Sequence, residues 1–205
     1  MDIIMGWTQN RAATLQQAYT TARSAIANDP HNEMGHWALA EVFFLDEEFE
    51  RGFHELDLAM EINPNNPDLI ATRGEHEANC GRFDMGIGMI RQAIERNRYH
   101  PEWYFWTLGI ACFKAGYLVE AIEAFERMSE HNTDTLGFLV ASLAHQDRLT
   151  DARSYITELR QLDPGFNLDS VAQLQAHIPD DARRLLLDGL QLTLDSEQPR
   201  LKSVR

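Results

Sequence analysis

Lysine is nearly missing from this chain. Of its 18 basic residues only Lys114 and Lys202 are lysines, and 32 acidic residues oppose them, which leaves 205 residues with a formal charge of −14. Binding to nucleic acid or to an anionic membrane surface rests on cations that meet phosphate, so neither is an expected partner. Cysteine is equally scarce. Cys80 and Cys112 cannot build a disulfide scaffold, and no Asn-x-Ser/Thr sequon occurs. Long apolar runs are lacking too: nothing approaches the roughly 18 residues of a membrane span. The start carries Asp2 where a secretory signal has positive charge, and Ile3-Ile4-Met5 is too short for its apolar region. A reducing cytoplasm is the expected setting. With 44% hydrophobic and 24% charged residues, the composition is that of a folded protein with a core.

What the chain does have is internal repetition. Three stretches end alike, Ala25-Ile26-Ala27-Asn28-Asp29-Pro30, Ala59-Met60-Glu61-Ile62-Asn63-Pro64 and Ala93-Ile94-Glu95-Arg96-Asn97-Arg98, and successive ends lie 34 residues apart. Ala121 and Ala152 mark two further units at offsets of 35 and 31 from Gly86 onward. Gly or Ala at Gly52, Gly74, Gly86, Gly109, Ala121 and Ala152 removes bulk where antiparallel helices cross closely, beside large apolar residues. Gly81 and Gly116 suit the left-handed turn after a helix. Pro64, Pro67 and Pro101 stop one helix or open the next. Each unit therefore reads as helix, tight turn, helix, and such hairpins bury their faces only by stacking.

The residues follow a known pattern. Trp106, Leu108-Gly109, Cys112, Gly116, Ala121, Phe125 and Met128 in the fourth unit resemble the tetratricopeptide repeat, as do Leu39, Ala40, Phe43, Gly52, Leu56, Ala59 and Pro64 in the second. The third keeps Gly74, Gly81, Gly86, Ile90 and Ala93 but has Glu77 at the aromatic place. The fifth keeps Ala152, Ile156 and Pro164 but has Val140 and Asp147 at its two glycine places. The resemblance implies an all-α, right-handed α-solenoid of antiparallel hairpins. The expected organisation is a cap or truncated helix over 1–10, an array over 11–166 (units 11–32, 33–66, 67–101, 102–132 and 133–166), capping helices over 167–194 and a mobile tail over 195–205. Ile3, Ile4, Met5 and Trp7 would cover an open N-terminal end or pair it with a second copy.

A second resemblance lies in Asn63-Pro64-Asn65-Asn66-Pro67, His100-Pro101-Glu102-Trp103-Tyr104, Asp163-Pro164-Gly165-Phe166 and Asp188-Gly189-Leu190. These are similar to the C-terminal repeat region of bacterial signalling proteins with a class III adenylate cyclase or winged-helix domain. That family's Gly-Leu-Pro ending is replaced here by Gln191-Leu192-Thr193-Leu194, and no cyclase motif is present. The resemblance implies a sensory or docking module.

In a stack of hairpins the first helices line the concave face. Helical spacing places Met34, Trp37, Glu41 and Phe44 there in the second unit, Asp68, Ala71, Glu75 and Ala78 in the third, and Trp103, Trp106, Ile110 and Phe113 in the fourth. Aromatics among carboxylates suit a basic or apolar peptide, since Trp contributes contact area at small entropy cost and acids attract Arg or Lys. The alternative is that the aromatics bury against neighbouring helices. Repeats that clamp a chaperone's C-terminal carboxylates use Lys, Asn and Arg at these places, where Glu41 and Glu75 would repel such a ligand. Ten of the acids fall between Asp29 and Glu61 with only Arg51 opposing them, which reads as a solvated acidic surface or as attraction for a cationic partner. Catalytic signatures are absent: no Ser lies in a nucleophile elbow, His54-Glu55 lacks a second His, and Gly86-Ile87-Gly88 is a fragment of a phosphate loop inside a helix. His76 and Cys80 stand four apart, yet a zinc site needs two more ligands. No metal, cofactor or catalytic residue is expected. The competing reading is a small-molecule sensor whose aromatic groove closes on a ligand.

Overall fold

The computed structural model describes residues 10–176 and 178–197, and among these eleven helices and no strands form. The expected docking residues Ile3, Ile4, Met5 and Trp7 lie outside the described residues, as does most of the 195–205 tail. The helices are α1 (Arg11–Asn28), α2 (Glu33–Leu45), α3 (Phe49–Ile62), α4 (Pro67–Asn79), α5 (Phe83–Arg96), α6 (Trp103–Lys114), α7 (Leu118–Phe125), α8 (Thr133–His145), α9 (Leu149–Leu162), α10 (Leu168–Leu174) and α11 (Asp180–Glu197). Asparagine side chains open several of them. Asn10, Asn32, Asn132 and Asn167 accept from the backbone N–H three residues on, at 3.0, 2.7, 2.8 and 2.9 Å, which satisfies donors a helix start leaves free.

Within each hairpin the turn repeats. Gly81 and Gly116 hold φ of 80°, and their N–H groups donate to the carbonyls of Ala78 and Phe113 at 2.9 Å. Glu47 and Asp147 occupy the corresponding places with φ of 61° and 57° and donate to Phe44 and Ala144 at 3.1 and 3.2 Å. The turn geometry is therefore kept where glycine is not.

The chain divides into two compact units, and the division passes through the α4–α5 hairpin. One contains residues 10–77 and 88–98, the other 78–87 and 99–197. The first has a core of Ala40, Phe44, Leu56, Ala59 and Leu69, with Trp37, Phe53 and Met60 packed against it, and a second cluster of Ala22, Leu39 and Phe43 under Tyr19 and Ile26. A Cβ on Gly52 would stand 2.6 Å from the Phe44 ring, so glycine there sets how closely α3 approaches α2. The α1 face turned away from this core is polar or small, carrying Arg11, Gln16, Gln17, Thr20, Thr21, Arg23 and Ser24. In the second unit a Cβ on Gly109 would stand 2.3 Å from Phe125, whose ring lies 6.5 Å from Phe138, itself 5.0 Å from Phe113.

Two helix ends differ from expectation. α7 stops at Phe125, and Met128 lies in a turn where Arg127 and Met128 donate to carbonyls three residues back, at 3.2 and 3.1 Å. That tighter winding accompanies the shorter spacing to the fifth unit. Its neighbours hold it: Glu102 accepts from the Ser129 N–H at 2.8 Å, and Arg127 lies over the Phe105 ring at 4.3 Å. The bonds from Ser129 keep the Glu102 carboxyl below the usual carboxylate range. At the C-terminus α11 continues through Ser196 and Glu197, because Arg153 donates to Ser196 at 3.0 Å and Arg160 pairs with Glu197 at 3.0 Å.

Candidate functional site

The site residues fall on α2, α4 and α6, the first helices of three hairpins. In the first unit Trp37, Glu41, Phe44 and His76 form one cluster. Trp37 Nε1 donates to Glu41 at 3.3 Å, and the same carboxylate oxygen lies 3.4 Å from His76 Nε2. The His76 ring stacks on Phe44, with centroids 3.5 Å apart. Phe44 is thereby buried inside the core, where it closes on Gly52, and presents no surface to a partner. Ala71 is buried as well. Met34 is 61% exposed, while Trp37, Glu41, Asp68 and Glu75 are half-buried. A half-buried indole tied to a half-buried carboxylate can receive a cation, by contact with the ring face and by charge.

In the second unit Trp103, Trp106 and Ile110 are half-buried, and Ala78 and Phe113 are buried. Trp103 meets Tyr104 edge-on at 4.5 Å. Phe113 fails as a surface residue for the same reason as Phe44: this register position points between hairpins, where a large aromatic fills the crossing. Helical spacing put both on the first-helix face but could not separate its rim from its floor.

Acids that looked like surplus charge have partners. Glu33 accepts from Asn63 at 2.9 Å and also from Asn66, which braces the Asn63-Pro64-Asn65-Asn66 turn. Glu55 lies 2.7 Å from His36 Nδ1, whose Nε2 is 3.2 Å from the Pro30 carbonyl. Glu77, at the aromatic place, is buried and accepts from Arg73 Nε at 2.7 Å; Arg73 also contacts Asp57 and lies over the Phe53 ring at 4.6 Å. The charged pair replaces an aromatic with a guanidinium that still covers a ring. Arg73 and Glu77 stand four apart, a spacing readable on a helix, but the links of Glu33, Glu55 and Asp57 were not visible in sequence, because those partners lie 16 to 33 residues apart. His76, considered as a metal ligand, is engaged with Glu41 and Phe44, and no group of three potential ligands occurs among the described residues. No helix among them is long and apolar enough to cross a membrane.

The succession of hairpins, their turns and their glycine crossings define an all-α repeat fold. No family model matches the chain, and no curated protein matches it. Solved structures do. Pseudomonas aeruginosa PilF is 21% identical with a TM-score of 0.69, covering 97% of this chain and 90% of that one. PilW, a widely conserved type IV pilus biogenesis factor, gives 16%, 0.69, 97% and 93% on the same measures. YrrB, a TPR protein with an unusual peptide-binding site, is 19% identical with a TM-score of 0.61, covering 85% of this chain and 91% of that one. The chain therefore has the tetratricopeptide fold, an α-solenoid of helical hairpins.

Proposed function

We propose that this protein is a non-catalytic interaction module that binds a basic or apolar peptide segment on its first helices. The observation that carries the reading is that Trp37 and Trp106, at the same register position of α2 and α6, stay half-exposed beside buried neighbours. The half-exposed Glu41 bonds the Trp37 indole, and Asp68 and Glu75 are half-exposed on α4, so an Arg or Lys beside an apolar residue is the fitting ligand. The peptide-binding site of YrrB, in a protein of the same fold, supports the class of ligand. The reading places the protein in the cytoplasm, with α10 and α11 as an end cap and a second copy able to pair through the N-terminal residues. Light scattering tests the pairing: a monomer at high concentration ends that part.

Peptides of basic, apolar and acidic character, titrated against the full chain, test the reading. Basic and apolar peptides are expected to bind, acidic ones not. Trp37→Ala and Trp106→Ala should each weaken binding about tenfold, as loss of a buried anchor does. Unchanged binding in both variants, or equal binding of acidic peptides, removes the assignment.

A second reading is a ligand-sensing or regulatory module of a bacterial signalling system, associated with a cyclase or a transcription regulator. It is favoured by a cleft of about 480 Å³ between α1 and the α2–α3 turn, walled by Leu15, Tyr19 and Phe43 with Asp46 and the Arg51–Glu48 ion pair at its edge. That volume is within the range of small-molecule sites. A thermal-shift screen separates the two readings, since a metabolite that raises Tm and is lost in Tyr19→Ala supports the second.

A further inference from the structure

The register that places Trp103, Trp106, Ile110 and Phe113 on the binding face continues into the fifth unit at an offset of 31 residues, to Asp134, Gly137, Ala141 and Ala144. In the structure this face of α8 is covered. Gly137, Ala141 and Ala144 are buried, as is every residue of α8 from Thr135 to Ala144, and Asp134 accepts from Gln175 at 3.3 Å. The α10 segment and Gln175 lie at its start, beside Asp134 and Gly137, and α11 covers its middle at Ala141. A Cβ on Gly189 would stand 2.6 Å from Ala141 Cα and 2.7 Å from its carbonyl oxygen, so the two helix backbones are in contact there. Leu186, Leu190 and Thr193 of α11 are buried on either side, and His145 Nε2 lies 2.8 Å from the Leu185 carbonyl. Where the fourth unit carries Trp103 and Trp106 the fifth carries Asp134 and Gly137, and Ala141 and Ala144 stand at the places of Ile110 and Phe113, so Ala141 is small enough for a helix to lie against.

We infer that α11 is an intramolecular ligand of the binding face. It docks on the first helix of the fifth unit, closes that unit to partners, and is released as one piece to bare a strip that accepts an amphipathic helix with leucines around a central glycine. Its make-up fits a strap better than another repeat. The opposite face of α11 is charged and exposed, with Asp180, Asp181, Arg184, Asp188 and Asp195. The α10 segment that precedes it has no buried residue, and between the two helices Gln175 and Ile178 are buried. This inference rests on the peptide-binding reading only for the identity of the face. Its test uses the chain's own helix and no outside partner, so the two readings fail separately.

Native-state hydrogen exchange on the full chain is expected to show the amides of Leu186 to Thr193 exchanging at least tenfold faster than those of Phe138 to Leu143, because α11 opens before α8. Equal rates would show that α11 opens only with the whole unit and would overturn the inference. In the full chain, Gly189→Leu sets a side chain against the Ala141 backbone and should displace α11. That variant is expected to bind a fluorescent peptide of residues 180–197 at least tenfold more tightly than wild type, and adding Ala141→Leu should abolish the binding. A folded Gly189→Leu protein that captures no peptide, or one that fails to fold, overturns it too, since α11 would then be integral to the fold.

Discussion

Glu47 and Asp147 stand in left-handed turns at the places where Gly81 and Gly116 stand in the other two. A side chain in that conformation costs roughly 1–2 kcal/mol. Glycine there would remove this cost while adding about 0.4–1 kcal/mol of unfolded-chain entropy, so Asp147→Gly should stabilise by up to about 1 kcal/mol. Chemical denaturation checks it, and a lower midpoint would contradict the strain argument. Gly109 shows the opposite limit. Its missing Cβ leaves room for the Phe125 ring, so Gly109→Ala overpacks the α6–α7 crossing and should lose about 1–3 kcal/mol. If Gly109→Ala melts with wild type, Phe125 has room that the structure does not give it. Both residues were legible in sequence as repeat positions. Which of them tolerates a side chain was not, because that depends on the neighbour across the crossing.

At the scale of the element, helix starts are set by asparagines the repeat pattern does not require. Asn132 accepts from the Thr135 N–H at 2.8 Å and from its hydroxyl at 3.0 Å, at the start of the most buried helix. Asn132→Ala should cost about 1 kcal/mol. A double-mutant comparison with Thr135→Ala resolves how much belongs to the cap; no loss in Asn132→Ala would mean water serves those donors equally well. Helix cores were readable from apolar spacing: Leu56, Ile90, Phe125 and Ile156 recur at one position and all are buried. The short α7 was not readable, since Met128 fits the helical pattern and the turn that holds it is set by Ser129 bonding to Glu102 and Arg127 lying over Phe105, both on or beside α6.

For the whole molecule, the charge of −14 acts through where the acids stand. Glu33, Glu55, Asp57 and Glu77 bond other side chains, and Glu41, half-exposed, bonds the Trp37 indole. Binding of a basic peptide should therefore weaken as ionic strength rises from about 0.05 to 0.5 M, because the screening length falls below about 10 Å. Calorimetry across that range checks it. Salt-independent affinity would assign the binding to the aromatics alone.

The sequence by itself determined the all-α hairpin class, the turns and the crossing positions, because these depend on local spacing and on residue size at repeating places. Tertiary structure decided the rest. Phe44 and Phe113 share a helical face with Trp37 and Trp106, yet packing on the next hairpin buries the first pair and leaves the second pair half-exposed. The acids of residues 33–66 look alike in sequence until distant asparagines, histidines and arginines claim some of them. The fifth unit's face reads as continuous with the fourth's, and only the return of α11 onto Ala141 closes it. Each of these outcomes depends on a contact between residues far apart along the chain, and repeat spacing carries no information about such contacts.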